Sequence, residues 1–283
     1  MTQLNSIDGT TTETARDGTL FRHPDRPVLK KRPMEAYRHF RELLKDKEDT
    51  THVFKIFEAF PSAKFLPAAR AFALSERGEA IRASEPYLPT ILDDHATLRR
   101  LPRGSVAHAY CDFMESEGLT AAGLVAEEDK TWGERPQYDD LVSWYANRRR
   151  DTHDMLHVLT GYGRDALGEQ CVLAFTHGQN SGFANVFIAY LGALNIRQTT
   201  PGKAPVLRAV RQAQKAGRGA PRVADMALRD LLAMPLDDAR AMMKIGDPSW
   251  YRACHEYWTA AGIDPYDLLG NAGDNTRHEA KAA

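Results

Sequence analysis

Two histidines and two acidic residues cluster near the middle of this chain and have the chemistry of metal ligands. His153 and His157 belong to the pentapeptide His-Asp-Met-Leu-His, and eleven residues separate His157 from Glu169. On an α-helix each residue turns by about 100°, so His153, Asp154 and His157 would project from one face. Imidazole and carboxylate ligands suit zinc, iron, cobalt or manganese, and they suit calcium less well.

Glu169 can join this site only if the chain turns back after His157. On a straight helix Glu169 would lie about 18 Å along the axis from His157. The segment Thr-Gly-Tyr-Gly-Arg-Asp, residues 160–165, supplies a break, because glycine ends helices readily and Asp165 can cap the next helix. We therefore predict a helix end between Thr160 and Asp165, with Glu169 facing back toward the histidines.

The same residues also have a simpler interpretation. A His-Asp-x-x-His pattern arises by chance on helix surfaces and in cores, and Asp154 could pair with Arg150 one helical turn earlier. The glycine-flanked turn and Glu169 favour a metal site, but the spacing alone leaves both interpretations open.

The elements that position these residues are predicted to be helices. Apolar residues recur at helical spacing after Pro33, Thr51 and Ser105, and one long helix from Leu141 to Leu159 would carry the histidines. Few segments alternate with a period of two, and neither a hairpin signal nor a repeat is present. The predicted fold class is therefore all-α.

The domain organisation follows from composition along the chain. We expect a single helical domain over residues 31–271, in which the His-Asp-x-x-His helix packs against a following helix that bears Glu169. Residues 1–30 and 272–283 are polar and are predicted to be flexible tails.

Charge and cysteine content narrow the class of protein. The chain has 283 residues and a formal net charge of −1, and it lacks an aromatic-basic stripe, so nucleic acid is not an expected partner. Cys111, Cys171 and Cys254 lie far apart and predict reduced thiols. No apolar run reaches the roughly 20 residues that span a bilayer, and no secretory signal is present. We expect a soluble or peripheral protein.

Two later segments suggest contact with apolar or membrane ligands. One is a helical stripe that predicts either a core helix or the wall of an apolar tunnel, formed by Phe183, Val186, Phe187, Tyr190, Leu191 and Leu194, with small residues beside it. The other, residues 198–222, is basic and has no acidic residue. It predicts either a solvated linker or an amphipathic helix on anionic lipid, with Val206, Leu207 and Val210 inserted.

The metal-ligand pattern resembles the hallmark of a known family, the coenzyme Q (ubiquinone) biosynthesis proteins of the Coq-four type. That hallmark is His-Asp-x-x-His, eleven residues and Glu, and His153, Asp154, His157 and Glu169 meet it in type and spacing. In two places the chain departs from the family: Arg149 replaces the tyrosine of its Arg-Tyr-Arg, and His177 stands where an acidic residue is common. The similarity extends over roughly residues 33–246 and includes residues 49–54, 101–105, 110–114 and 148–150, Gln179 and Gly182.

The resemblance implies an α-helical, peripheral membrane protein of ubiquinone biosynthesis. It implies metal-dependent C1 decarboxylation, with hydroxylation, of a polyprenylated benzoate-derived intermediate, organisation of the other biosynthetic proteins, or both. The expected cofactor is a divalent metal, zinc first, with cobalt, iron or manganese as alternatives. Because this is a bacterial-type chain without a targeting signal, the expected place is the cytoplasmic face of the inner membrane. The resemblance leaves open whether the protein forms a homodimer.

Residue roles follow from the same resemblance. His153, Asp154, His157 and Glu169 would be the metal ligands, and Asp154 could act beside the metal as a general acid or base. Arg150 could hold the substrate carboxylate through two hydrogen bonds, or pair with Asp154.

Two other functions remain as alternatives. One is a non-catalytic lipid-binding scaffold with a structural metal, which a closed ligand shell without a cavity would favour. The other is a helical phosphohydrolase of the His-Asp type, which would need a further metal-binding histidine such as His95 or His108.

Overall fold

Helices make up nearly all of the regular structure, as the spacing of apolar residues predicts. The computed structural model describes residues 3–7, 10–46, 49–133 and 135–268, so the predicted tail 272–283 lies outside the described residues. The all-α fold class is confirmed. The helices are α1 (Pro33–Leu43), α2 (Thr51–Ala59), α3 (Phe65–Ala73), α4 (Glu76–Ser84), α5 (Pro89–Leu92), α6 (His95–Leu98), α7 (Val106–Glu117), α8 (Ala121–Trp132), α9 (Leu141–Asp151), α10 (His153–Thr160), α11 (Ala166–Asn180), α12 (Phe183–Thr199), α13 (Val206–Gly219), α14 (Leu228–Ala233), α15 (Leu236–Met242) and α16 (Ser249–Ala260).

A short antiparallel hairpin precedes the helices, although the sequence shows no hairpin signal. It joins β1 (Gln3–Ile7) to β2 (Thr10–Thr14). Both strands are mostly polar, so the alternation of apolar and polar residues that reveals a half-buried strand is missing. Beyond the hairpin, the carbonyls of Leu20 and Phe21 accept hydrogen bonds from the first turn of α9. Part of the predicted tail 1–30 therefore contacts the helical domain.

The helix α11 lies at the centre of the fold and packs closely against α13 because both helices have glycine at the contact. A Cβ atom at Gly217 would lie 2.0 Å from the carbonyl oxygen of Phe175, and one at Gly178 would lie 2.5 Å from that of Gln214. Only hydrogen atoms fit at these two positions. The close packing holds α11, and with it Glu169, in a fixed position.

The predicted long helix from Leu141 to Leu159 is wrong in one respect, because it is divided at Thr152. This buried threonine has φ −90° and ψ 8°, and its hydroxyl donates to the Arg148 carbonyl at 2.9 Å. Such a bond to the carbonyl four residues earlier bends helices. The break separates α9 from α10, so the face carrying Arg150 does not continue directly into the face carrying His153.

The interpretation of residues 198–222 as a membrane-inserting helix is also corrected. The segment contains the helix α13, and its basic residues Arg208, Arg211 and Lys215 are exposed. However, Val206 and Val210 are buried in the main core against neighbouring helices. They cannot enter a bilayer without unfolding this packing. Within the described ranges, no helix is both long and apolar enough to cross a membrane.

Candidate metal centre and cavity

The turn between α10 and α11 lies where the glycines and Asp165 predict it. Gly161 ends α10 with φ 73°, a left-handed conformation that glycine adopts without strain. Asp165 caps α11 and accepts hydrogen bonds from the backbone amides of Leu167 and Gly168, both at 3.1 Å. Its carboxylate also accepts a hydrogen bond from the hydroxyl of Tyr251. This hydroxyl in turn accepts a hydrogen bond from the amide of Gly163 at 3.0 Å.

This turn brings Glu169, in the first turn of α11, beside both histidines of α10. Its Oε2 lies 3.6 Å from Nε2 of His153, and its Oε1 lies 3.6 Å from Nε2 of His157. The ligand atoms of His153, Asp154 and His157 lie within 4.8 Å of one another. Two ligands that are each 2.0–2.1 Å from a tetrahedral zinc lie roughly 3.4 Å apart. The spacing therefore suits a cation between these side chains.

His157 supplies a test of whether the residues fit a metal. Its ring is buried and stacks on Phe113, and Nδ1 lies 3.0 Å from the carbonyl oxygen of Tyr162. A carbonyl can only accept, so Nδ1 carries the hydrogen, and the neutral ring presents a lone pair on Nε2. That Nε2 atom is buried and has no hydrogen-bond partner among the described residues. An oriented imidazole with an unpartnered nitrogen is the arrangement of a metal ligand.

The charges in the site oppose the effect of burial. Burial favours the neutral carboxyl of Glu169, but the imidazoles of His157 and His153 lower its pKa well below the usual range. Burial likewise favours neutral His157, but the carboxylates of Glu169 and Asp154 raise its pKa. A divalent cation at this site would therefore compete with a proton for Nε2 of His157.

The three arginines before the motif have different surroundings. Arg148 is buried, and its guanidinium binds Glu85 at 2.7 Å and the carbonyl of Ala224 at 2.7 Å. Arg150 binds Glu128 and Asp151. The predicted pairing of Arg150 with Asp154 is therefore wrong: the break at Thr152 changes the helix face, and these two carboxylates hold the guanidinium instead.

Asp151 explains why Arg150 is held in this position. Asp151 is only 4% exposed, and burial raises the pKa of its carboxyl to about 6 against the lowering effect of Arg150. Sequence reasoning missed Asp151 and Glu128, because neither residue belongs to the motif and Glu128 lies on the more distant α8.

A cavity of about 1420 Å³ opens beside the cluster of ligands. His153, Asp154, Glu169 and Arg164 line it, whereas His157 lies behind this wall. Much of the remaining lining is apolar, including Phe40, Leu43, Val53, Phe54, Phe57, Phe60, Leu124, Trp132, Leu156, Leu173, Ile188 and Ile196. Cavities in proteins that hold small ligands usually measure about 300–1,000 Å³, so this one is large.

The face of α12 that lines the cavity is not the predicted aromatic stripe. The lining residues of α12 include Ala184, Ile188 and Gly192, which belong to its buried, mostly small face. Phe183 is instead 53% exposed and packs edge-on against Phe60. Small residues of α12 beside the aromatic stripe, such as Ala184 and Gly192, therefore form the cavity wall in place of the stripe itself.

The family model described as coenzyme Q (ubiquinone) biosynthesis protein Coq4 matches residues 43–249 of the chain. The chain belongs to the Coq4 family. Ubiquinone biosynthesis protein COQ4 homolog 2, mitochondrial, of Culex quinquefasciatus is 29% identical over 129 residues, which cover 45% of this chain and 54% of that relative. The COQ4 homolog of Bos taurus is 26% identical over 171 residues, covering 60% of this chain and 62% of the relative. The chain thus spans about half of the length of the Culex relative.

The fold of the Coq4 chain is found in a solved structure from Nostoc punctiforme. The TM-score is 0.53 at 17% sequence identity, and the similarity covers 77% of this chain and 100% of that one. At this identity the likeness shows the fold alone.

His95 and His108, the further histidines that a phosphohydrolase could use, form hydrogen bonds to other groups of this Coq4 chain. Nδ1 of His95 lies 2.9 Å from Glu115, and Nε2 of His108 lies 2.9 Å from the carbonyl of Leu101. His95 and Glu115 also come within 4.8 Å of the sulfur of Cys111. Because Arg99 binds the same Glu115 carboxylate at 2.7 Å, we assign this group to an ion-pair network that joins α6 to α7.

Proposed function

We propose that this protein acts in ubiquinone biosynthesis on a polyprenylated, benzoate-derived intermediate. The proposal rests on one observation: side chains of the metal-ligand type and an extensive apolar surface line the same cavity. Three side chains of the metal-ligand type, His153, Asp154 and Glu169, line a large cavity whose other lining residues are mainly apolar. An aromatic head group would lie at the polar wall, and its isoprenoid chain would extend along the apolar part.

The proposed reaction is C1 decarboxylation with hydroxylation of that carbon: the carboxylate leaves as CO₂, water supplies the hydroxyl oxygen, and a two-electron oxidant such as dioxygen is required as co-substrate and is reduced to hydrogen peroxide. Behind the cavity wall His157 would hold a divalent metal, zinc first, and His153, Asp154 and Glu169 would hold it from the cavity side. When bound, such a metal supplies a Lewis acid for a phenolate or carboxylate oxygen. Asp154, at the cavity surface, can serve as a ligand or exchange a proton with the substrate. The alternative, a scaffold with a closed structural metal site, finds less support because the ligand cluster adjoins a cavity.

The lipid substrate also implies partners. Its isoprenoid chain leaves a bilayer only at a high free-energy cost, about 0.8 kcal/mol for each CH₂ group. We therefore propose that the protein works at a membrane surface, the cytoplasmic face of the inner membrane, together with the other ubiquinone-biosynthesis proteins. Exposed apolar side chains among the cavity-lining residues, Val28, Leu29 and Leu66, support such a contact.

Profiling of quinone intermediates in a cell that depends on this protein tests the proposal. Glu169→Ala should fail to restore ubiquinone, and a prenylated precursor that still carries its C1 carboxylate should accumulate. His177→Ala is the matched control, since His177 lies on the same helix but does not line the cavity. Full restoration by Glu169→Ala would exclude the metal-dependent reaction and favour the scaffold.

A further inference from the structure

Arg149 differs from its neighbours because no carboxylate among the described residues forms a salt bridge with its guanidinium. It is a partly buried residue of α9 that lines the cavity. The described residues offer its guanidinium no hydrogen bond and no salt bridge. Instead it lies over the ring of Phe65, 5.4 Å from the ring centre. Arg148 and Arg150, on either side, are both paired with carboxylates.

The acidic residue whose charge acts on Arg149 is Asp225, and its carboxylate already has other partners. Asp225 accepts a hydrogen bond from the hydroxyl of Tyr145 at 2.7 Å and lies 3.2 Å from Arg222. Arg222 also lines the cavity, and its Nε is buried with no partner among the described residues. The Asp225 carboxylate is thus bound by Tyr145 and Arg222, and Arg149 forms no ion pair with it.

The charge balance at this wall favours an anion. Burial, and then the nearby Arg222, lower the pKa of Arg149, but a guanidinium stays charged in proteins. A cation that has lost water and gained only an aromatic ring as its partner still carries a desolvation penalty. An anionic group inside the cavity would remove that penalty, and a guanidinium can bind a carboxylate or a phosphate with two parallel hydrogen bonds.

We propose that Arg149 is the residue that binds the anionic group of a ligand whose apolar chain fills the cavity. For the identity of the ligand this rests on the proposed function, in which the anion is the ring carboxylate. A prenyl phosphate presents the same oxyanion chemistry. The tyrosine common in the resembling family could donate one hydrogen bond but carries no charge, so the preference for an anion would be a property of this chain.

Binding of matched ligand pairs to metal-depleted protein tests the proposal. The first pair is a farnesylated 4-hydroxybenzoate and the same farnesylated phenol without the carboxylate, followed by the fluorescence of Trp132, which lines the cavity. The parent should prefer the carboxylate by roughly 10- to 100-fold, the range expected for hydrogen bonds to a charged group. Arg149→Gln and Arg149→Tyr should lose this preference but bind the neutral phenol as before. Arg149→Lys should keep part of it, and Arg211→Gln, on an exposed helix surface, should keep all of it.

Further ligand pairs separate this proposal from the proposed function. Palmitate against hexadecanol tests recognition of a carboxylate without a ring, and farnesyl phosphate against farnesol tests the phosphate. Arg149-dependent preference for palmitate, without any binding of the benzoate, would support Arg149 and overturn the proposed substrate. A larger Arg149 effect for farnesyl phosphate than for the benzoate would support Arg149 and identify phosphate as the natural anion. An anion preference that survives Arg149→Gln, in protein that unfolds at the parent's temperature, would overturn the inference.

Discussion

At the scale of single residues, one hydrogen-bond partner each orients the side chains of His157 and Asp165. The Tyr162 carbonyl orients the His157 ring, and Tyr251 fixes the Asp165 carboxylate that begins α11. The ligand cluster is therefore held by groups that are not themselves ligands. Such outer partners commonly change metal affinity by 10- to 100-fold when they are removed.

Glu169→Ala should lower metal retention strongly and stability only modestly. The side chain is 31% exposed, so its removal leaves little unfilled space, while the cation loses a carboxylate that faces both histidines. We expect metal affinity to fall at least about 10-fold and the metal content to fall after dialysis, as measured by elemental analysis. His177→Ala should keep the parent's metal content. An unchanged content in Glu169→Ala would show that Glu169 is not a ligand.

Local chemistry explains which residues of the site could be predicted from the sequence. Gly161 and Asp165 have conformational preferences that act within one turn, so the fold-back of Glu169 follows from the sequence. The partners of Arg150 could not be predicted in the same way. Glu128 lies 22 residues earlier in the chain, and only the packing of helices brings it to Arg150.

At the scale of elements, the contact between α11 and α13 holds Glu169, the proposed ligand, in position. Gly217→Ala should destabilise the protein by about 2–3 kcal/mol, the range for overpacking a tight contact, because its Cβ would meet a backbone oxygen that cannot rotate away. Urea unfolding measures the effect. Gly219→Ala, where a Cβ meets nothing within 4 Å, should leave stability nearly unchanged. Equal stability of the two variants would contradict the close contact.

The residue that caps the start of α9 has a carboxylate whose effect on stability depends on pH. Asp140 is buried and accepts hydrogen bonds from Arg26 and from the amides of His23 and Ser143. Burial alone would raise its pKa, but these hydrogen bonds, first that from Arg26, lower it. A lowered pKa in the folded state means that the stabilisation is present above the ordinary value of about 4 and is lost as the pH falls through the folded value.

Asp140→Asn should therefore destabilise the protein by about 2 kcal/mol at pH 7. The difference from the parent should narrow as the pH falls below about 4, where the unfolded chain takes up a proton, and should close below the lowered pKa of folded Asp140, where both proteins carry an uncharged side chain. Urea unfolding at several pH values measures this. Asp139→Asn, at the exposed neighbouring position, should show no such difference. A gap that stays constant with pH would mean that charge at Asp140 does not stabilise α9.

Long-range packing limits what the sequence can show about elements. The starts of α1 at Pro33 and of α7 after Ser105 agree with the prediction, because proline and a capping serine act locally. The division at Thr152 and the hairpin before residue 15 were missed, since neither interrupts an apolar pattern. The sequence left the faces of α12 and α13 open between two alternatives each, because amphipathicity alone does not say whether protein or lipid covers an apolar face.

At the scale of the whole molecule, the positions of apolar and basic side chains predict which surface would contact the proposed membrane. Val28 is 76% exposed and Leu29 is 47% exposed, and both are among the cavity-lining residues. Val206 and Val210 of α13 are buried and Leu207 is partly buried against the core, so that helix would contribute mainly charge, at about 1 kcal/mol for each basic residue near an anionic surface. Insertion at the cavity would give a lipid chain a continuous apolar path from the bilayer to the ligand cluster.

The double variant Val28→Asp/Leu29→Asp should therefore lose sedimentation with vesicles of phosphatidylcholine and phosphatidylglycerol at both low and high salt. Replacement of Arg208, Arg211 and Lys215 by glutamine should weaken only the binding at low salt, because added ions screen the charges but not apolar burial. Met242→Asp, at an exposed apolar position outside the cavity lining, is the control and should sediment like the parent. If the double variant also sediments like the parent, Val28 and Leu29 do not contact the bilayer, and the lipid must enter the cavity from another side.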